Sequence, residues 1–193
     1  MSKQSLFWLI VTFNLISICL PNIIRADDFP YELSTFTTSI KDSSQARVNN
    51  IRLSLTSLNG KIISPGETFS FLESVGEMKA ELGYQDAPVL RDGKKIIDTG
   101  GGVCQVATTL YNSALHGGLK IKERHPHSTI INYVPLGRDA TVSFVEWKDL
   151  KFINTYSFPL MIKTQVEGKR IVIGLFSQKD IRKEIRLITE EGI

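Results

Sequence analysis

Cysteine is nearly missing from this chain of 193 residues: Cys19 and Cys104 are the two that occur. Histidine is almost as scarce, at His116, His125 and His127. No C-x-x-C or H-x-x-x-H pair exists, so the usual spacing of a zinc site is absent, and a metal bound by Cys104, His125 and His127 has no spacing to support it. No Lys/Arg run is interleaved with aromatics, and the formal charge is only +3. Composition therefore speaks against a nucleic-acid partner. There is no internal repeat and no low-complexity stretch. An apolar content of 42% with 22% charged residues is ordinary for a globular chain and excludes disorder as the default. The length suits one domain with a real core and is short for two.

Long apolar runs are confined to the N-terminus. Lys3 is followed by Leu6-Phe7-Trp8-Leu9-Ile10-Val11 and on to Leu20, with Thr12, Asn14 and Ser17 as polar interruptions. Pro21-Asn22 ends the run, and Ile24-Arg25-Ala26 precedes Asp27-Asp28. A basic start, a short apolar core and a small residue at the cut describe a secretory signal peptide over residues 1–26. The competing reading is an uncleaved anchor from Ser5 to Ile24, although the apolar core is shorter than the roughly 20 residues a span needs. Lipidation at Cys19 is disfavoured by the bulky Ile18 before it. Each reading exports the domain to the cell envelope, periplasmic or extracellular, with membrane contact only through that N-terminus. Cleavage removes Lys3, Arg25 and Cys19 and leaves a formal charge of +1. Cys104 is then a lone thiol, either reactive or paired with another chain.

Residues 27–43 read as a polar, extended N-terminal arm. Ala46, Val48, Ile51, Leu55 and Leu58 recur at helical spacing, with Ser43 or Ser44 as N-cap, Asn59-Gly60 as the stop, and Arg47 and Arg52 on a solvated face. Residues 61–63 form a short strand before the Ser64-Pro65-Gly66 turn, and Phe69-Ser70-Phe71-Leu72 alternates as a strand would. Asp92-Gly93 between two apolar runs signals a hairpin. Gly100-Gly101-Gly102 leads into Val103-Cys104-Gln105 and a helical pattern that ends at His116 with Gly117-Gly118. Residues 119–123, 129–134, 140–145, 150–153, 159–165 and 170–176 are β-rich runs separated by turns, and a short helix is expected over 180–191. The order predicts an α+β fold: a helix carrying the cysteine, packed on an antiparallel sheet.

A cysteine just inside a helix start lies where the helix dipole and free N–H groups favour thiolate. Gly101 and Gly102 would let a substrate approach the backbone and expose N–H groups to an oxyanion. His125 and His127, two apart on a strand, would both face the helix, and Asp139 follows at the start of the next run. A nucleophile, a base and an orienting group in this order occur in papain-like thiol enzymes. Plainer roles compete: Cys104 as a small core residue, His116 as a dipole partner and Asp139 as a turn residue.

The same residues resemble the VanW-domain family. The resemblance rests on Asn59-Gly60, Pro65-Gly66-Glu67-Thr68-Phe69-Ser70-Phe71, Gly83-Tyr84 and Ala87-Pro88-Val89. Its centre is Gly100-Gly101-Gly102-Val103-Cys104-Gln105 with Thr109-Leu110-Tyr111-Asn112 and Glu123-Arg124-His125-Pro126-His127-Ser128. Tyr133-Val134-Pro135, Gly137-Arg138-Asp139-Ala140-Thr141-Val142 and Phe152-Ile153-Asn154 complete it. It spans residues 34–176, within an expected domain of 44–178 and ahead of a tail over 179–193. Leu72 departs from the Asn expected there.

The family takes its name from a glycopeptide (vancomycin) resistance cluster, and some members are described as cysteine L,D-transpeptidases that make 3-3 cross-links in peptidoglycan. The resemblance implies that Cys104 attacks the carbonyl of the third stem residue, releases the terminal D-amino acid and passes the acyl group to an amine on a neighbouring stem. It leaves open whether His125 or His127 is the base. Asp139 as orienter is read from the residues, as are Arg124 and Arg138 holding a stem carboxylate. Tyr111 and Gln105 share the helix with Cys104, for substrate contact or for packing alone. No cofactor or metal is implied, and peptidoglycan stem peptides are the expected partners. A hydrolase with the same site and a non-catalytic wall- or glycopeptide-binding module are the other readings.

Overall fold

The structure, a computed structural model, describes residues 25–91 and 93–180. The expected leader up to Ile24 and the expected helix beyond Asp180 lie outside the described residues.

The principal sheet is antiparallel and joins the two ends of the domain. Its order is β1 (Tyr31–Ser39), β9 (Arg170–Ser177), β8 (Leu160–Glu167) and β2 (Ile62–Ile63). The stretch read as an arm is thus largely an edge strand, registered on β9 from Tyr31↔Ser177 to Ser39↔Arg170. A second sheet, β3 (Thr68–Ser70), β7 (Lys151–Ile153) and β6 (Lys120–Glu123), and a hairpin, β4 (Asp86–Arg91) with β5 (Lys94–Thr99), complete the strands among the described residues. The hairpin strands pair from Asp86↔Thr99 to Arg91↔Lys94, as expected.

Two long helices cover the principal sheet. α1 (Gln45–Leu58) starts after Ser44 and stops at Asn59, and it turns Ile51, Leu55 and Leu58 inward. α3 (Val103–His116) lies between β1, β9 and α1 and is buried from Gln105 to Ala114. Its residues Val106 and Leu110 meet Ile173, Leu175 and Phe152 in one core. Full burial of each such side chain stabilises the fold by about 1.5–3 kcal/mol. A helix so enclosed must find internal partners for its polar side chains, and those partners build the site.

Three expected strand runs differ. Phe69 to Leu72 is buried throughout rather than alternating, because β3 ends at Ser70 and α2 (Phe71–Val75) begins. The Ser70 hydroxyl accepts from the Glu73 N–H, and Asp149 accepts from the Ser70 hydroxyl and the Leu72 N–H, which turns the chain into a helix. Residues 129–134 form no strand; the Lys41 ammonium takes the Asn132 carbonyl there. Residues 140–145 join no strand among the described residues and make only the isolated Thr141–His125 and Ser143–Lys148 bridges, with Ala140, Thr141 and Val142 bonded to α3.

Candidate active site

The glycines set the entry to α3. Gly100 and Gly102 have φ of 88° and 111°, values that L side chains rarely adopt. Gly101 is pressed on β4: a Cβ there would lie 2.7 Å from the Ala87 carbonyl carbon and oxygen. Its own carbonyl accepts from Asn50 Nδ2 at 3.1 Å, and the same amide bonds both the N–H and the carbonyl of Gln85. Gly101 therefore packs the hairpin on α1 and does not face the cleft, whereas Gly102 caps α3 and lines it. In the first turn Val103 N–H and Gln105 N–H close on the Gly100 and Gly102 carbonyls. The Cys104 N–H takes part in neither bond.

Cys104, half-buried, begins a ladder between α3 and residues 138–142. Its Sγ lies 3.5 Å from the Val142 carbonyl, and the Thr141 hydroxyl donates to it at 3.7 Å. One turn on, the Thr108 hydroxyl donates to the Ala140 carbonyl and accepts from the Ala140 N–H, both at 3.0 Å. A further turn on, Asn112 Nδ2 donates to the Arg138 carbonyl at 2.6 Å, and Asn112 Oδ1 accepts from Arg138 Nε at 2.8 Å. Residues four apart on a helix share a face, so one stripe of α3 fixes the segment that carries Asp139. A neighbouring stripe, Gln105, Thr109 and Ser113, bonds Thr38, Ser39 and Ser34 of β1.

Asp139 in turn fixes His127. Its Oδ2 accepts from the His127 backbone N–H at 2.6 Å and from the ring Nδ1 at 2.7 Å, while Arg124 donates to Oδ1 at 2.7 Å and to the Asp139 carbonyl at 2.6 Å. With Nδ1 engaged by Asp139, His127 lines the same clefts as Cys104, and the two groups act on each other's protonation. Burial alone would push the Cys104 thiol up; the hydrogen bond and charge of His127 outweigh it and hold the thiol below its ordinary value. Burial likewise opposes a charged His127, but Cys104 and Asp139 raise it above the usual imidazole range. Burial also works against a charged Asp139. The His127 N–H groups and the Arg124 guanidinium prevail and keep it low. These directions favour a thiolate–imidazolium pair on a carboxylate.

The other singled-out residues go elsewhere. His125 bonds Glu123 at 3.0 Å and does not join Cys104, because the chain around it is held by a single bridge and is not a continuous strand that would turn both histidines the same way. Arg124 is committed to Asp139 and lies 5.6 Å above the Tyr111 ring, which is itself buried. Arg138 is committed to Asn112 and to His116 Nε2, at 2.7 Å. His116 thus accepts from a cation, and burial together with that charge lowers its pKa. Both arginines thus spend Nε and one terminal nitrogen on partners inside the fold. Among the described residues no three His, Cys, Asp or Glu side chains are grouped as metal ligands.

Two clefts meet at Cys104 and His127. One, of about 460 Å³, is walled by Arg47, Lys41, Lys95, Gln105 and Tyr133. The other, of about 630 Å³, is walled by Met78, Asp98, Thr141, Phe144 and Glu146. Arg47 is the main surprise. Expected on a solvated face, it is half-buried, with NH2 donating to Gln105 Oε1 at 2.9 Å and NH1 to the Pro88 carbonyl at 3.3 Å. Thr108, Asn112 and Thr141 were also missed. The first two carried a signal, as polar residues four and eight positions beyond Cys104 on the same helix face. Tyr133, beside Cys104 and Thr108, has its phenol pushed well up, by burial first and by the thiolate second; its position rests on an irregular segment and left no periodic trace.

A thiol at a helix start thus shares two clefts with a histidine that a buried carboxylate orients. The chain that carries it belongs to the VanW-like protein family, whose pattern matches residues 46–176. It is 37% identical over 157 residues to the Uncharacterized protein YoaR of Bacillus subtilis (strain 168), covering 81% of this chain and 52% of that protein. It is 33% identical over 140 residues to the Vancomycin B-type resistance protein VanW of Enterococcus faecalis (strain ATCC 700802 / V583), covering 69% of this chain and 50% of that one. The matched stretch spans about half the length of these relatives. No solved structure matches the chain.

Proposed function

We propose that this protein is an exported cysteine acyltransferase acting on peptidoglycan stem peptides, of the L,D-transpeptidase type, working in a papain-like manner. The observation that carries this reading is the grouping of Cys104 with His127, whose ring Asp139 holds, at the junction of two clefts, with the thiol's pKa lowered by His127. The Cys104 thiolate attacks the carbonyl carbon of the third stem residue, and the resulting oxyanion meets the Cys104 N–H and the positive end of α3. His127 gives its proton to the departing amine of the terminal D-amino acid, which leaves as the C–N bond breaks. A thioester remains. The amine of a second stem enters, His127 takes its proton, a new amide forms and the thiolate departs. Two clefts at one thiol suit two stems, a donor and an acceptor. Water in place of the amine would make the same site a hydrolase, since acceptor choice rests on water exclusion.

The test is incubation of the protein with disaccharide tetrapeptides, followed by mass spectrometry. Cross-linked dimers with released D-amino acid are expected, as is their loss in Cys104→Ala. Full product from Cys104→Ala would reject the reading. Wall binding without turnover, indifferent to Cys104→Ser, would identify a binding module instead.

A further inference from the structure

We propose that Arg47 is the binding residue for the free terminal carboxylate of the acyl donor, and that the cleft it walls is the donor's leaving-group subsite. The inference rests on the acyltransferase reading and assigns a substrate group to one of its two clefts. In that chemistry the leaving group is a single amino acid whose carboxylate lies one residue beyond the attacked carbonyl. A cation close to the thiol is therefore what the substrate needs.

Arg47 has that position. It lies directly against Gly102, two residues before the nucleophile: a Cβ on Gly102 would come within 3.2 Å of Arg47 Cγ and 3.3 Å of the Arg47 carbonyl. Its guanidinium is held from behind. Gln105 donates its own amide N–H groups to Thr38 Oγ1 and the Ser39 carbonyl, which leaves Oε1 turned to Arg47. The bond to Pro88 is long at 3.3 Å, and Arg47 Nε is buried with no hydrogen-bond partner. An arginine has five donors in a fork that matches a carboxylate, and most of these are unspent here. Among the described residues no carboxylate is ion-paired with it; Asp42, the acidic residue of this cleft, feels its charge but is bonded to the Ser44 N–H.

The charge of the two clefts differs in the same sense. Arg47, Lys41 and Lys95 face Asp42 in the first, an excess of positive charge. Glu77, Asp98 and Glu146 face Lys79 and Lys148 in the second, with Glu77 paired to Lys79 and Glu146 to Lys148. A donor ending in a carboxylate belongs in the first and an acceptor bearing an ammonium group in the second. The two arginines that sequence suggested for the carboxylate are committed to Asp139 and to Asn112 with His116.

The experiment compares two donors on the full chain: a stem tetrapeptide ending in free D-alanine, and the same peptide ending in D-alanine amide. The readout is thioester formation at Cys104 by intact mass. The free carboxylate is expected to acylate the wild type with kcat/KM at least about tenfold higher than the amide, the scale of one charge-assisted bond. Arg47→Gln should erase the difference, mainly through KM, and Arg47→Lys should keep part of it. Equal acylation of the wild type by both donors would overturn this proposal while leaving the acyltransferase reading intact. Undiminished discrimination by Arg47→Gln would do the same. No thioester from either donor would overturn both. If Arg47→Gln fails to fold, the wild-type comparison and Arg47→Lys still decide.

Discussion

Asp139 holds His127 by two hydrogen bonds from one carboxylate oxygen, one to the backbone N–H at 2.6 Å and one to the ring at 2.7 Å. The first sets where the histidine sits on the chain, and the second sets which way its ring points. Because Arg124 occupies the other oxygen, the carboxylate cannot swing away, and the ring stays in the clefts it shares with Cys104.

The thiol should react at a pH well below its ordinary titration near 8.5. Its folded pKa is lowered by His127 against burial, so alkylation with iodoacetamide should persist as pH falls. In His127→Ala burial is opposed only by the contacts to Val142 and Thr141, and the apparent pKa should rise. His125→Ala, whose ring is on Glu123, should leave the profile where it was. A profile that moves with His125 and not His127 would reject the assignment.

Turnover should follow a bell with limbs belonging to the Cys104–His127 pair as a unit. The acid limb is protonation of the thiolate and the alkaline limb is loss of the His127 proton. Asp139→Asn removes a contribution that raises His127 and should shift the alkaline limb to lower pH. An unmoved alkaline limb would show that Asp139 does not act on the ring.

Asp139→Asn should also cost about 2 kcal/mol or more in urea unfolding at neutral pH, since Arg124 and His127 lose a charged acceptor. The sign with pH follows from the lowered Asp139 value. Its stabilisation is complete above the unfolded pKa of about 3.9 and is lost as pH falls through the lower folded one. The wild type should therefore lose more stability on acidification than Asp139→Asn does.

Thr108→Val keeps the shape of the side chain while removing both bonds to Ala140. A destabilisation of about 1–3 kcal/mol is expected from the backbone groups left unpaired in a buried site. With the segment on either side of Ala140 loosened, Cys104 alkylation should slow at neutral pH. An unchanged alkylation rate in a destabilised protein would mean that the ladder serves stability alone.

Gly101→Ala and Gly137→Ala separate close approach from backbone strain. Gly137 has φ of 73° with nothing near its Cβ position, so alanine there should cost about 1–2 kcal/mol. At Gly101 a Cβ meets the Ala87 backbone at 2.7 Å. The hairpin must move off the Cys104 turn, adding about 1–3 kcal/mol of overpacking and reducing thiol reactivity, which Gly137→Ala should preserve.

Much of the frame was legible in local pattern. The α1 and α3 spans, the Asp92-Gly93 hairpin, the glycine turn ahead of Cys104 and the strands from Leu160 onward follow from period and punctuation, because each is decided by neighbours a few residues apart. Family likeness through the Gly102-Val103-Cys104-Gln105 and His125-Pro126-His127 motifs was legible in the same way. Choosing His127 over His125, committing Arg124 and Arg138 to internal partners and turning Arg47 into the cleft were not. Those side chains stand on irregular segments or beside a helix buried on nearly all sides, where direction is set by whichever buried polar group lacks a partner. Asn112, Thr108 and Asp139 needed partners inside the fold, and only the packing of residues 138–142 along α3 determined which ones they took.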